Sequence, residues 1–360
     1  MIICHVITSL VHGGAERLLL SLVKLQKQKH TVHIVYFLDK APLLPLFPKD
    51  INIKHIKLDL FTSYHLRQYI KKIKPDIVHT HLGHADLIGL WSIRGLNIKS
   101  FVTIHNIWYK WDWRDSIIFI IYKILFKTIA RKCVVIGISK SVSLHVKNRL
   151  GVKAENIFTL FNAIDDIDSL DTKDNIRKKL NIPMQTFCVL FIGRLHIQKS
   201  IETLLFSTKI LKNKIPNLVI QIVGEGEEEN KLKKHVHQLQ ISDVVKFYGT
   251  TSEPELFLQA ADLFVLPSIY EGFGIVIIEA FRAGLPVIAT NIEGPREIIT
   301  NRINGLLFYP TDYDNLAKLI YEVYSNLDLR INLSQGSRMS FTNAYSIVNY
   351  AERLESIYLL

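Results

Sequence analysis

Two carboxylates, Glu271 and Glu279, bracket seven residues in the stretch Glu271-Gly-Phe-Gly-Ile-Val-Ile-Ile-Glu279. The apolar run Leu263-Phe-Val-Leu-Pro-Ser comes just before it. The pattern predicts a strand, a tight glycine turn and a helix over 275–283. Gly272, Phe273 and Gly274 lift that helix start clear of the strand, and the free backbone N–H groups there suit a phosphate. Glu271 precedes the helix, and the spacing puts Glu279 about two turns inside it. One carboxylate then reaches beyond the helix start and the other reaches alongside. A ligand with a diphosphate and hydroxyl-rich ends, such as a nucleotide sugar, fits that layout.

Further candidates also follow apolar strand-like runs. In Gly193-Arg-Leu-His-Ile-Gln-Lys199 two cations stand five apart. Arg194 can grip two phosphate oxygens with its fork, and Lys199 supplies a point charge. Val223-Gly224-Glu225-Gly lacks the third glycine of a dinucleotide fingerprint. Its glycines either let a base lie against the backbone or form a plain tight turn. Gly13 and Gly14 open a helix after the first strand and allow close approach of a ligand. His105 ends the run Phe101-Val-Thr-Ile, where sites of open α/β sheets lie, and reads equally as a satisfied core histidine. His79 and His81 are either cleft residues or loop residues, and loop is the favoured reading. Asp166 and Asp168 read as linker polarity rather than a cation site. The segment 107–126 holds three of the four tryptophans beside an apolar helix with basic flanks. It fits either a membrane interface or a helix covering one face of a sheet.

These positions need two frameworks. Strands are expected at 2–8, 32–37, 76–80, 100–104, 133–138 and 157–161, with helices around 14–29, 64–73, 84–95, 116–131 and 140–150. A second series follows, with strands at 187–192, 218–223, 244–248, 263–267 and 286–290 and helices at 200–213, 227–239, 253–260, 275–283 and 312–326. Alternating strands and helices predict parallel sheets of the doubly wound α/β class. A length of 360 residues also favours two cores over one. The division expected is 1–164 and 165–342, with a last helix at 343–360 packing back on the first domain. The two domains would form a cleft between the carboxyl ends of their strands.

Residues 1–165 hold 24 Lys and Arg against 10 Asp and Glu, a net +14, whereas the remainder is slightly acidic. A basic face of that kind suits nucleic acid, an anionic membrane or a polyanionic substrate, or is simply solvated surface. The three cysteines, Cys4, Cys133 and Cys188, lie far apart in apolar runs and read as buried thiols of a reducing compartment. The start, Met1-Ile-Ile-Cys-His, reads as a buried strand rather than a signal peptide. No run approaches the ~18–20 apolar residues of a membrane-crossing helix. The expected place is the cytoplasm, at the inner face of the membrane if the basic half meets lipid.

The ordered set Gly13-Gly14-Ala-Glu-Arg, Thr103-Ile-His105, Ile138-Ser-Lys, Asn162-Ala-Ile-Asp, Gly193-Arg194 with Lys199, Val223-Gly-Glu-Gly, the 271–279 stretch and Gly294 with Glu297 and Asn304-Gly resembles the group-1 retaining glycosyltransferases, family 4 type. The resemblance runs over nearly the whole chain. It implies a GT-B fold, two Rossmann-like domains facing across a cleft, with donor mainly on the second and acceptor on the first. It also implies that Glu271 contacts sugar hydroxyls, that Glu279 holds the ribose, and that Arg194 and Lys199 neutralise the diphosphate. Backbone N–H groups of Phe273, Gly274, Ile275, Val276 and Gly14 would complete the phosphate cradle, and His105 would sit near the transferred sugar. The donor is a UDP-sugar or GDP-sugar, with no metal and no other cofactor expected. The acceptor is a glycan or lipid-linked glycan of cell-surface polysaccharide. Peripheral contact with anionic membrane is expected of the basic half, and no nucleic acid. Two departures stand out: Ser200 and Ala163 occupy positions where the family usually has glycine.

Two other functions use parts of the same pattern. A nucleotide-sugar 2-epimerase of the same fold binds the same donor without an acceptor. A basic nucleic-acid-binding protein explains the charged first half, but leaves the glycine and carboxylate motifs of the acidic half without a use.

Overall fold

The computed structural model describes residues 1–11, 13–105, 113–130, 133–166 and 171–360, with the side chains of 113–119 and 121 also left out. His12, Asp168 and the tryptophan-rich segment up to 112 lie outside the described residues. The chain forms two compact units, Met1–Asp165 with Ile347–Leu360, and Asp166–Ser346.

The first unit runs β1 (Ile2–Ile7), α1 (Gly14–Gln26), β2 (Thr31–Tyr36), β3 (Asn52–His55), α2 (Thr62–Ile73), β4 (Ile77–His81), α3 (Gly83–Ser92), β5 (Lys99–Ile104), α4 (Trp113–Ile129), β6 (Val134–Gly137), α5 (Lys140–His145) and β7 (Ile157–Thr159). The second runs α6 (Lys173–Lys179), β8 (Phe187–Ile192), α7 (Ile201–Leu211), β9 (Leu218–Val223), α8 (Glu229–Gln238), β10 (Val245–Phe247), α9 (Pro254–Ala260), β11 (Leu263–Leu266), α10 (Ile275–Arg282), β12 (Val287–Thr290), α11 (Pro295–Ile298), β13 (Leu306–Phe308), α12 (Tyr313–Ser325) and α13 (Leu327–Ser340). A last helix, α14 (Ile347–Tyr358), returns to the first unit.

Both sheets are parallel and doubly wound. The first has seven strands in the order β3-β2-β1-β4-β5-β6-β7, and the second has six in the order β10-β9-β8-β11-β12-β13. Central strands such as β1, β8 and β11 are apolar along most of their length, and β4 is buried throughout, because helices cover both faces. In each sheet the strand order reverses beside the first strand, between β1 and β4 and between β8 and β11. Loops leave such a point in opposite directions and open a crevice at the carboxyl ends of the strands.

In the first unit, Leu18 and Leu22 of α1 and Tyr350, Leu354 and Tyr358 of α14 bury against Ile3, Ile77, Phe101 and Ile136 of the sheet. Ala163 is part of that core, and the Ile347 amide donates to the Ile164 carbonyl, which fixes where α14 enters. In the second unit, Asp166 is held by two bonds from Arg338, at 2.8 and 2.6 Å.

The expected strands and helices are present with shifts of a few residues at their ends. Four elements escape the pattern. β3 is a short, largely exposed edge strand whose residues give no apolar run. β13 is only three residues long, and α11 is a single turn behind a proline. α13 carries Gly336 and several serines, which blur a helical period. His79 and His81 are a correction: they are not loop residues but fully buried members of β4. Their inward alternation is that of a buried strand, disguised by a polar residue type.

Candidate functional site

In the second unit the loops after β8, β9, β11 and β12 converge. Lys199, at the end of the loop after β8, pairs with Glu271 at 2.5 Å from Nζ to Oε1. The same carboxylate oxygen accepts from Ser268 Oγ at 2.8 Å. The Ser268 carbonyl in turn accepts from Thr290 Oγ1 of β12 at 2.6 Å. Gln198 adds two links between the loops: its side chain donates to the Tyr270 carbonyl, and its own carbonyl accepts from the Ile269 amide, each at 2.9 Å. Glu271, Ser268 and most of Lys199 are buried, so the pair is only weakly screened by water. Burial and the Glu271 charge raise the Tyr270 hydroxyl above its usual pKa. Both recorded bonds of Glu271 use Oε1, which leaves Oε2 as an acceptor toward a ligand among the described residues.

The turn after Glu271 has the geometry that its glycines predict. Gly274 is left-handed at φ 97° and caps α10, which an L side chain would resist. A Cβ on Gly272 would meet nothing within 4 Å, so the backbone there faces open space. Phe273 is buried and anchors the turn. Among the described residues, the amides of Gly274, Ile275 and Val276 have no recorded acceptor, and the first helical bond is donated by Ile277. Ile275 and Val276 are half-buried. Glu279 stands four residues after Ile275, about one turn into the helix at 3.6 residues per turn, not the two expected.

Arg194 opens the loop that Lys199 closes, but its guanidinium binds Glu227 at 3.1 Å and remains 71% exposed. His196 joins the same carboxylate at 3.2 Å. The structure therefore brings Lys199, and not Arg194, to Glu271. Gly193 lies beneath the lysine, since a Cβ there would sit 3.7 Å from Lys199 Cε. The glycines after β9 serve the fold. A Cβ on Gly224 would lie 2.0 Å from the Gly193 carbonyl oxygen, and one on Gly226 would lie 2.3 Å from that of Leu195. The backbone of the neighbouring loop fills the space on the Cβ side of both glycines. Glu225 accepts from Thr250 Oγ1 at 2.5 Å. Ser200 takes the left-handed conformation at φ 46°, which explains why glycine is expected there.

In the first unit, Gly13 caps α1, and a Cβ on it would lie 2.2 Å from Glu16 Oε2. The buried Glu16 carboxylate accepts from Ser9 Oγ at 2.9 Å, at the helix end where negative charge is favoured. Gly14 is the first residue of the helix. His105 directly follows β5, half-buried. Behind it stand residues that composition alone did not flag, His5 on β1 and Gln26 on α1, together with His79 and His81. His5 bonds Gln26 at 2.8 Å and His81 at 3.1 Å, and His81 bonds His105 at 3.4 Å. His79 bonds the Tyr358 hydroxyl at 2.6 Å and Thr103 Oγ1 at 2.7 Å. Three of these rings, His5, His79 and His81, offer ligand atoms within 4.8 Å of one another. Their nitrogens are nevertheless engaged with each other and with Gln26, Tyr358 and Thr103, so the cluster needs no ion to be satisfied. Burial pushes His5 and His105 down to about 4, and burial with neighbouring rings holds His79 and His81 well below the usual range.

The model of the family described as "Glycosyl transferases group 1" matches residues 172–339, and that of "Glycosyltransferase Family 4" matches residues 12–167. The Escherichia coli protein called UDP-Gal:alpha-D-GlcNAc-diphosphoundecaprenol alpha-1,3-galactosyltransferase is 29% identical over 324 residues, covering 86% of this chain and 81% of its own. The capsular polysaccharide biosynthesis glycosyltransferase CapM of Staphylococcus aureus is 28% identical over 93% of this chain and 91% of its own. Among solved structures, Anabaena HepE in complex with UDP superposes with a TM-score of 0.86 at 20% identity, covering all of both chains. The lipopolysaccharide glycosyltransferase WaaG superposes at 0.70 and 15% identity, covering 99% of each.

Two outcomes follow from this geometry. Gly224→Ala places a Cβ against the Gly193 carbonyl and is expected to cost about 1–3 kcal/mol of stability, read as a lower urea midpoint. A glycine needed only for a ligand would leave that midpoint in place. The second concerns pH. The unfolded chain protonates its histidines near 6.5, whereas folded His5 and His105 resist protonation down to about 4. Stability is therefore present above about pH 6.5 and is lost as pH falls from there toward 4. Asp86, raised to about 7 by burial, acts in the opposite sense, but it is one group against four histidines. The melting temperature should fall between pH 7 and pH 5, above the range where ordinary carboxylates titrate. A flat profile over that interval would refute this reading.

Proposed function

The chain belongs to the group-1 glycosyltransferases of family 4 type and has their two-sheet GT-B fold, and from that we propose that it moves a sugar from a nucleoside-diphosphate donor to a glycan or lipid-linked glycan acceptor, with retention at the anomeric carbon. The observation that carries the proposal is the buried Lys199–Glu271 pair beside the unbonded amides that start α10. A cation, a helix N-terminus and a hydroxyl-accepting carboxylate together match a diphosphate joined to a sugar. UDP-sugars are favoured over GDP-sugars, in keeping with the UDP complex of a structural neighbour and the UDP-Gal in a relative's name.

Lys199 has three N–H donors, and Glu271 takes one of them. The other two, with the amides of Gly274, Ile275 and Val276, are offered to the diphosphate. Oε2 of Glu271 accepts from sugar hydroxyls, and Glu279 takes the ribose. Arg194 joins the phosphate by leaving Glu227, since an exposed pair of that kind holds it only weakly. As the bond from the anomeric carbon to the diphosphate breaks, negative charge grows on the leaving oxygen. The cations and the helix start stabilise that charge more in the transition state than in the ground state, which lowers the barrier. The acceptor hydroxyl attacks from the face the diphosphate leaves, and the departing phosphate takes its proton.

Fixed positive groups serve the leaving diphosphate in place of a divalent ion. The acceptor reading draws on the lipid-linked substrate and the capsule pathway in the relatives' names, and the basic first half suits an anionic lipid surface at low salt.

A panel of UDP- and GDP-sugars should contain donors that raise the melting temperature, since a ligand of the native state alone stabilises it. A panel with no effect would refute the donor reading. Lys199→Ala should lower turnover by about 100–1000-fold, by analogy with loss of one oxyanion donor, and turnover in EDTA should equal that without it. Full activity in the alanine variant, or loss in EDTA restored by magnesium, would contradict the charge argument. With donor alone, an isomerised sugar in place of an inert donor would point to the epimerase.

A further inference from the structure

The buried Gln26, His5 and His81 and the half-buried His105 form a single file, and its polarity can be read. Gln26 Oε1 is an acceptor only, so the bond at 2.8 Å requires the proton on His5 Nε2. A neutral ring carries one N–H, so His5 Nδ1 is a bare lone pair. It accepts from His81 Nε2 at 3.1 Å. His81 Nδ1 is then bare as well, and accepts from His105 Nε2 at 3.4 Å. The last ring in the file ends with an unprotonated Nδ1, and that atom is buried with no partner among the described residues. A bare buried acceptor is a group waiting for a donor.

We propose that Gln26, His5 and His81 are positioning residues that fix the tautomer of His105, so that its Nδ1 accepts a hydrogen bond from a ligand hydroxyl. The juxtaposition that carries this is the continuous file Gln26–His5–His81–His105 with an orphaned nitrogen at its end. Each ring has only two arrangements, and each link admits one hydrogen, so the whole file flips together or not at all. The other polarity would present an N–H at His105 and would repel a hydroxyl hydrogen. The relay therefore decides between accepting from and donating to the ligand, a choice His105 cannot make alone. The identity of the ligand as a sugar rests on the proposed transfer reaction, whereas the tautomer does not.

The test uses the full chain with nitrogen-15 histidine. In the wild type without donor, two-bond nitrogen–proton spectra should show His105 protonated at Nε2 and bare at Nδ1. His81→Leu cuts the file and should give a mixture of His105 tautomers. With the sugar donor, kcat/KM should fall about tenfold, the worth of one neutral hydrogen bond, while affinity for the free nucleoside diphosphate, which lacks the sugar, stays unchanged. His81→Gln provides both an N–H toward His5 and an oxygen toward His105, and should restore tautomer and rate together. A proton on Nδ1 in the wild type would overturn the proposal, and so would a His81→Leu variant whose His105 tautomer is unaltered. The wild-type spectrum decides even if His81→Leu fails to fold. A protein that turned over no nucleotide sugar would overturn the transfer reading, while the relay would still stand or fall on the spectra.

Discussion

A salt bridge between residues 72 apart in sequence organises the second unit: Lys199 on Glu271. It joins the loop leaving the first strand of the sheet to the turn that starts α10, across the point where strand order reverses. A buried ion pair is an uncertain source of stability, because desolvating two charges costs several kcal/mol apiece. Its value here is positional. It holds a cation against a carboxylate whose second oxygen is uncommitted, next to amides that the helix itself cannot use. Ser268, Thr290 and Gln198 brace that arrangement from three directions. Without the brace the carboxylate would be free to turn, and the cation would lose its place over Gly193.

The glycines divide into two kinds, and the difference is physical. Gly274 supplies a backbone conformation, and Gly272 leaves room in front of the turn. Gly224 and Gly226 instead permit two loops to touch, with carbonyl oxygens where a Cβ would be. Gly13 does the same for the Glu16 carboxylate. A glycine beside a strand end thus marks close approach without saying what approaches. At these three positions the partner is the protein itself.

This sets the boundary of what the amino-acid pattern discloses. The parallel α/β class, the strand–turn–helix at 263–282 and the loop from Gly193 to Lys199 are all local, and local spacing reveals them. The pairing of Lys199 with Glu271, the swing of Arg194 to Glu227 and the bracing by Ser268 depend on contacts distant in sequence, and no spacing carries them. The histidine file was hidden for a different reason. His5, His79 and His81 occupy inward positions of adjacent parallel strands, but a polar residue type masks a buried strand. Three histidines on neighbouring inward positions were the available signal. The edge strand β3 and the serine-rich α13 were missed because tertiary contact, not intrinsic preference, holds them in place.

The proposed reaction depends on where the charge of the donor is received. A crystal structure of the protein with a nucleoside diphosphate tests this without recourse to rate. The expected result is a terminal phosphate within about 2.7–3.2 Å of Lys199 Nζ and of the first amides of α10, hydrogen-bonding distance for nitrogen to oxygen. A well-defined nucleotide whose phosphates lie away from both would contradict it.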